Sequence, residues 1–163
     1  EVAITAVHAA GGDVLKLMAD GVLAIFTAED PAQACLAALQ AEAGMRARLE
    51  GLNQRRQAAG RPVSSIYLGL HIGDVFYGNI GSKDRLDFTV VGQAVNEASR
   101  ISSMCRSADR HVLFSSDFRD FLPEPERSKL VSVGRYALRG VSRARELFTL
   151  DPAIVAPPVP EET

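Results

Sequence analysis

The chain has only two cysteines, no strong charge excess and no long apolar run, and each shortage excludes a class of protein. Cys35 and Cys105 form no CxxC pair, which argues against a zinc knuckle or thioredoxin-like chemistry. We expect both to be reduced, small core residues. No segment approaches the roughly 18 consecutive apolar residues that span a bilayer, and no basic segment followed by an apolar one opens the chain. We therefore expect a cytoplasmic domain without a membrane segment.

The charge and the missing motifs exclude further functions. Eighteen basic residues against 20 acidic ones give a net charge of −2, which gives no support for binding nucleic acid. The HExxH, GxSxG and GxxxxGK[ST] motifs are absent, so the sequence offers no zinc peptidase, serine hydrolase or P-loop signature. With 163 residues, 47% of them apolar, the chain is long enough for one globular domain with a proper core.

The order of elements predicts an α+β fold in which helices pack against a mixed or antiparallel sheet. The local signals are apolar periodicity, turn residues and helix caps. They predict a helix over 2–10, strands over 13–18 and 22–27, a long helix over 29–59 capped at Asp30-Pro31, a strand over 64–75, a turn over 78–82, a strand over 88–91, a helix from Gly92, a strand over 111–115, a short serine-capped helix over 116–121, and closing strands over 130–138 and 146–150. Gly69 marks either a bulge or a close backbone approach.

The most informative segment runs from residue 86 to residue 101, LDFTVVGQAVNEASRI. On the helix that begins after Gly92, Asn96 and Arg100 lie one turn apart on one face. A separate stripe can face a core, and it consists of Val95, Ala98, Ile101 and Cys105. These two residues place an amide and a guanidinium on the side of the helix away from the core. Such a pair is suited to binding a phosphorylated sugar.

Three ordered blocks carry a family resemblance: GGDVLKLMADGVLAIF (11–26), GLHIGDVFYGNIGSKDRLDFTVVGQAVNEASRI (69–101) and YALRGVSRARELFTL (136–150). Together they resemble the catalytic domain of class III adenylyl and guanylyl cyclases, and most closely a bacterial adenylate cyclase subgroup. The resemblance implies a ferredoxin-like sheet with helices packed against it, spanning residues 1–150 but lacking its first strand. It leaves 151–163 as a proline-rich tail. The implied reaction converts ATP to cyclic AMP and pyrophosphate.

The resemblance also implies a metal site. Asp20, in the turn between the first two strands, matches the second metal-binding aspartate of the family, which uses two Mg²⁺ or Mn²⁺ ions. The family's other metal aspartate would precede Glu1, so we expect the chain to be truncated or processed at its N-terminus. We also expect this fragment to be unable to catalyse the reaction alone. Ala19 departs from the glycine that commonly precedes Asp20 in the family.

Other substrate contacts follow from the same resemblance. Lys16 and Thr89 match the purine-reading pair, and this combination points to ATP, because a lysine donor serves the adenine N1 acceptor. Asn96 matches the residue that orients the ribose, and Arg100 matches the one that stabilises charge on the α-phosphate. Arg139 stands where the family has a lysine near the terminal phosphates, and nearby Arg143 is an alternative.

Family architecture implies a homodimer with shared sites and a fused upstream sensor or regulatory domain. One subunit would supply Asp20 and the other would supply the remaining site residues. One alternative to a catalytic domain stays open, namely a non-catalytic, cyclase-like regulatory or dimerisation module. A second, more distant alternative is a relative of the diguanylate cyclases. The second lacks support because Gly11-Gly12-Asp13 is followed by valine instead of a second acid.

Overall fold

The computed structural model describes residues 1–18, 21–80, 87–138 and 143–153, with the backbone alone for 77–80 and 87–91. The elements of this part of the chain are α1 (Val2–Ala9), β1 (Asp13–Met18), β2 (Gly21–Ile25), α2 (Pro31–Ala58), β3 (Leu68–Leu70), β4 (Phe76–Ile80), β5 (Asp87–Val91), α3 (Gln93–Ser103), β6 (Val112–Ser115), α4 (Ser116–Phe121), a 3-10 turn (Arg127–Lys129), β7 (Leu130–Tyr136) and β8 (Arg145–Leu150). Among the described helices, none combines the length and apolar character that crossing a membrane requires.

The largest sheet contains four strands in the order β3-β6-β8-β7. β3 and β6 are parallel, whereas β8 is antiparallel to both β6 and β7. Two antiparallel pairs, β1 with β2 and β4 with β5, complete the described strands. A mixed sheet with helices packed against it confirms the predicted α+β class.

The central strand β6 explains how helices cover both faces of the sheet. All four of its residues are buried, as expected for a strand with neighbours on both sides and helices on both faces. Phe114 packs in a cluster with Phe118 of α4 and Cys35 of α2. Leu113 points the other way, into a cluster with Ile101 and Cys105 at the end of α3. The sheet therefore separates α2 and α4 from α3.

Gly69 is the point where α3 comes closest to the sheet. A Cβ atom at this position would lie 2.5 Å from the backbone nitrogen of Ser102 and 2.7 Å from the carbonyl oxygen of Ala98. Of the two meanings predicted for Gly69, the close backbone approach is the correct one. The missing side chain lets the helix rest directly on β3.

Two sequence predictions around this sheet are wrong. The strand predicted over 64–75 is reduced to Leu68–Leu70. At its predicted start, the Asn53 side chain binds both backbone groups of Ser64, at 2.9 Å from its nitrogen and 2.8 Å from its oxygen. Those groups are thus unavailable to a neighbouring strand. The turn predicted from residue 78 is a strand instead, since β4 continues to Ile80 and pairs with β5 from Phe76↔Val91 to Ile80↔Asp87.

Candidate active site

Helix α3 carries the predicted polar pair as the spacing indicated. Asn96 is exposed and Arg100 is half-buried, one turn further along. Ile101 and Cys105, on the predicted apolar stripe, are buried at 1% and 0% exposure. Gly92 precedes the helix with φ of 154°, and a Cβ there would lie 3.0 Å from the carbonyl oxygen of Asp74. The backbone angle therefore favours glycine at this junction, and an added Cβ would make a tight contact with the Asp74 carbonyl.

The other predicted site residues are described to different extents. Lys16 is exposed on β1, at a point where the register with β2 shifts. Thr89, on β5, pairs through its backbone with Gly78 of β4, and β5 lies beside β1. Asp20 and Arg139 lie outside the described residues, as does the side chain of Thr89. The structure thus brings Asn96 and Arg100 together on one helix and the strands of Lys16 and Thr89 next to each other.

A buried polar network, not predicted from the sequence, lies against α3. Glu97, next to Asn96, is only 7% exposed. Its Oε2 lies 3.0 Å from Nε2 of His71, and its Oε1 accepts a hydrogen bond from Nη2 of Arg145 at 3.3 Å. Nδ1 of His71 lies 2.8 Å from the hydroxyl oxygen of Ser115. We call these four residues, Glu97, His71, Arg145 and Ser115, the Glu97 network.

The hydrogen bonds of the Glu97 network fix the protonation of His71. Burial lowers the pKa of His71 below its usual 6.5, against the opposing effect of the Glu97 and Asp117 carboxylates and with a smaller lowering effect from Arg145. The Ser115 hydroxyl accepts from the Phe118 N–H at 3.1 Å as the cap of α4, so its hydrogen is free to donate to Nδ1. His71 is therefore neutral and donates its Nε2 hydrogen to Glu97.

The Glu97 network does not fit hydrolytic chemistry. Ser115, His71 and Glu97 are connected in that order by hydrogen bonds, as the members of a nucleophilic triad are. Ser115 is 6% exposed, however, and its oxygen is engaged at the start of α4. A serine that is buried and already caps a helix cannot approach a substrate.

A metal site at this position is also a poor fit. His71, Glu97 and Asp117 present ligand atoms within 4.8 Å of one another. Mg²⁺ prefers oxygen ligands and retains several waters, whereas this group includes an imidazole nitrogen that already faces Glu97 at 3.0 Å. Both ring nitrogens and both Glu97 oxygens have protein partners. The cluster is therefore a hydrogen-bonded network and not the divalent-ion site that the sequence predicts at Asp20.

The sequence did contain a signal for Glu97. Positions 97, 101 and 105 are spaced by four along a helix, so a face that buries Ile101 and Cys105 buries position 97 as well. A charged residue on that face requires partners, because an unpaired buried carboxylate is strongly destabilising. The identities of those partners depend on the tertiary structure.

Comparisons with known proteins show what this chain is similar to. A family model described as the adenylate and guanylate cyclase catalytic domain matches residues 23–151. The chain is 33% identical over 129 residues to an adenylate cyclase of Anabaena cylindrica, covering 77% of the chain and 25% of that protein. It is 29% identical over 153 residues to adenylate cyclase 1 of Rhizobium meliloti (strain 1021), covering 85% of the chain and 22% of that protein. The chain thus spans about a quarter of the length of these relatives.

A solved structure gives the same result at the level of the fold. The structure of a bacterial light-regulated adenylyl cyclase superposes with a TM-score of 0.76 at 26% identity, covering 93% of this chain and 42% of that one. The fold that carries Asn96 and Arg100 is therefore that of the class III cyclase domains.

Proposed function

Because the chain belongs to the family of adenylate and guanylate cyclase catalytic domains and has the predicted class III fold, we propose that it converts ATP to 3′,5′-cyclic AMP and pyrophosphate. In this reaction the ribose 3′-oxygen forms a bond to the α-phosphorus and loses its proton. The bond from the α-phosphorus to the bridging oxygen breaks, and pyrophosphate leaves. The site must therefore orient the ribose and offset negative charge on the phosphates.

The observation that carries this proposal is the polar face of α3. Arg100 carries a planar guanidinium with several N–H donors, which suits phosphate oxygens. Placed at the α-phosphate, it would stabilise the charge that develops during the attack. Asn96, one turn earlier, offers both donors and an acceptor to the ribose. A helix packed on the sheet through Gly69 holds the two side chains at a constant separation.

Selection of adenine would depend on Lys16 and Thr89. The lysine ammonium is a donor only, so it suits the bare N1 of adenine and opposes the protonated N1 of guanine. The neighbouring positions of β1 and β5 support a shared purine pocket. Arg139, with Arg143 as the alternative, would contact the terminal phosphates.

The divalent ions would be held by Asp20, in the connection between β1 and β2. Carboxylate oxygens are the ligands that Mg²⁺ and Mn²⁺ prefer. When bound, such ions supply positive charge to the phosphate oxygens.

Large apolar side chains on the surface support a homodimer with shared sites. Leu17 is 65% exposed and Met18 is 47% exposed on β1, and Phe76 at the start of β4 is 71% exposed. Exposed apolar side chains of this size favour coverage by a second subunit. A two-fold axis would then create two equivalent sites, each with Asp20 from one subunit and Arg100 from the other.

The activity is tested with the full-length protein, including any residues before Glu1. Purified protein is supplied with Mn²⁺ and either ATP or GTP, and cyclic nucleotide is measured. We expect cyclic AMP, and a loss on the order of 10² to 10³ in kcat for Arg100→Ala. Arg106→Ala is the matched control, because Arg106 lies on the surface over the ring of Tyr67, at 5.2 Å. Undiminished activity in Arg100→Ala or Asp20→Ala would refute the proposed site.

Subunit sharing is tested by mixing the two inactive variants. If Asp20→Ala and Arg100→Ala proteins exchange subunits at random, half of the dimers contain one intact site out of two, which restores about a quarter of the wild-type activity. No recovery after confirmed subunit exchange would mean that each subunit holds a complete site or none. If cyclic GMP were the main product, the proposal that Lys16 and Thr89 select adenine would be wrong.

A further inference from the structure

We propose that Glu97 is a positioning residue whose buried carboxylate sets the rotation of α3 about its own axis, and thereby the aim of Asn96 and Arg100. This inference rests on the proposed function, since those two residues are its contacts to the substrate. Glu97 itself need not touch the nucleotide. It acts through Asn96, one residue before it, and Arg100, three residues after it.

The two carboxylate oxygens of Glu97 are held by residues at the ends of two different strands of the sheet. His71 follows β3 directly, and Arg145 is the first residue of β8. In the sheet, β3 and β8 lie on opposite sides of β6. One carboxylate therefore bridges two strands across the central strand, and Ser115 at the end of β6 completes the connection through His71. Three strands thus converge on a single side chain of α3.

The other attachments of the N-terminal half of α3 are packing contacts without side-chain hydrogen bonds in the described residues: Ala94 lies against Gly73, where an added Cβ would come within 2.7 Å of the Ala94 Cβ. The N-terminus of α3 at Gly92 has no side-chain cap. The buried apolar anchors, Ile101 and Cys105, belong to the C-terminal end. The contact at Gly69 is made to the backbone of Ala98 and Ser102. A contact of this kind limits the distance between α3 and β3 more than it limits the rotation of α3 about its axis. Glu97 is therefore the directional tie nearest to Asn96.

A small rotation of α3 is enough to misplace the ends of its side chains. The ends of helix side chains lie roughly 5–6 Å from the helix axis, so a rotation of about 10° displaces them by about 1 Å. A misplacement of about 1 Å at reacting groups costs on the order of 10² in rate. A modest loosening of the Glu97 network is enough to affect catalysis without unfolding the helix.

Glu97→Gln is the sharpest perturbation. The amide has the same shape but only one acceptor oxygen, so its NH₂ group either faces the Arg145 donor or faces His71 and forces the imidazole into the other tautomer, which reverses the hydrogen bond with Ser115. In the full-length protein we expect kcat to fall by 10- to 100-fold, with KM changed by less than about threefold because the nucleotide-binding groups remain. Glu42→Gln is the matched control: Glu42 is 5% exposed and paired with Arg46 at 3.1 Å, but it lies on α2, across the sheet from α3. We expect it to leave kcat unchanged.

A second pair of variants covers the case in which Glu97→Gln does not fold. Arg145 is 39% exposed in its side chain, so its replacement disturbs the core little. Arg145→Ala should lower kcat in the same direction, and Arg145→Lys, which retains a donor to Glu97, should recover most of the loss. Equal loss in both variants would contradict the inference.

Coupling to Arg100 separates positioning from a general structural role. If Glu97 acts through the polar face of α3, Glu97→Gln should reduce kcat by a clearly smaller factor in an Arg100→Ala background than in the wild type, because only the contribution through Asn96 remains to be lost. A reduction as large as in the wild-type background would overturn the inference.

Amide hydrogen exchange provides a readout that does not depend on activity. Glu97→Gln should accelerate exchange within residues 93–103, whereas Glu42→Gln should not. Unchanged exchange in α3 would overturn the inference whether or not cyclic AMP is formed. If wild-type protein forms no cyclic nucleotide but α3 loses protection in Glu97→Gln, the proposed function fails and the positioning of α3 by Glu97 stands.

Discussion

Replacing Gly69 with alanine should separate α3 from the sheet by a measurable amount. The added Cβ would lie 2.5 Å from the Ser102 nitrogen and 2.7 Å from the Ala98 oxygen, whereas ordinary contact begins at 3.4 Å. Both neighbours are backbone atoms, so no change of rotamer relieves the overlap. The helix must move by about 0.9 Å, the difference between 3.4 Å and 2.5 Å.

Such overpacking costs about 1–3 kcal/mol of the free energy of unfolding. With a urea m-value of about 2 kcal/mol/M, the unfolding midpoint should fall by roughly 0.5–1.5 M. Because the same movement displaces Asn96 and Arg100, kcat should fall by up to about 10²-fold. The assays are urea unfolding followed by circular dichroism and steady-state formation of cyclic AMP.

Gly51→Ala is the control for this substitution. Gly51 lies in α2, and the nearest atom to a Cβ at this position would be Nη1 of Arg55, at 3.5 Å. Alanine at a helical position should raise stability by about 0.5–1 kcal/mol and leave kcat unchanged. If Gly69→Ala unfolds at the wild-type midpoint and retains wild-type kcat, the close approach of α3 to β3 is not a constraint on the protein.

Two further predictions concern titratable groups in the core. Burial lowers the pKa of His71 below 6.5, although the Glu97 and Asp117 carboxylates raise it, and Arg145 lowers it further. Just below pH 6.5 the unfolded chain therefore binds a proton that the folded chain does not. The free energy of unfolding should therefore fall as the pH is lowered from about 6.5, by at most about 1.4 kcal/mol per pH unit. The decline should be shallower in His71→Gln, and parallel curves for the two proteins would contradict this. Burial also raises the pKa of the Cys35 and Cys105 thiols to about 11. Iodoacetamide at pH 8 should therefore modify them only as fast as the protein unfolds. Labelling of the native protein at the rate of a free cysteine would show that the two thiols are not buried.

Local signals were sufficient for many of the elements. The cap at Asp30 accepts from the Ala32 nitrogen at 3.0 Å, and α2 begins at Pro31, as the Asp-Pro pair predicted. The β1–β2 pairing up to Met18↔Gly21 agrees with the hairpin predicted from the Asp-Gly turn. The spacing of four between Asn96 and Arg100 placed them on one face of α3. The pairwise roles of these residues at a substrate stay predictions.

The errors occurred where a remote segment decided the local conformation. Gly78 and Asn79 are typical turn residues, but pairing with β5 holds them in a strand. Ser64 lies in a segment with strand-like composition, but the Asn53 side chain binds its backbone from α2. In both cases the partner is invisible in the local window, and the hydrogen bonds it makes outweigh propensities of less than about 1 kcal/mol per residue.

The periodicity of α3, the hairpin that carries Lys16 and the blocks that resemble a cyclase are all encoded locally in the sequence. The contacts of Glu97 with Arg145, 48 positions away, and of His71 with Ser115, 44 positions away, arise only when the chain folds. Helix periodicity and turn chemistry depend on neighbours within a few residues. A buried carboxylate depends instead on which distant donors the sheet brings to it, because only those donors offset the cost of removing its charge from water.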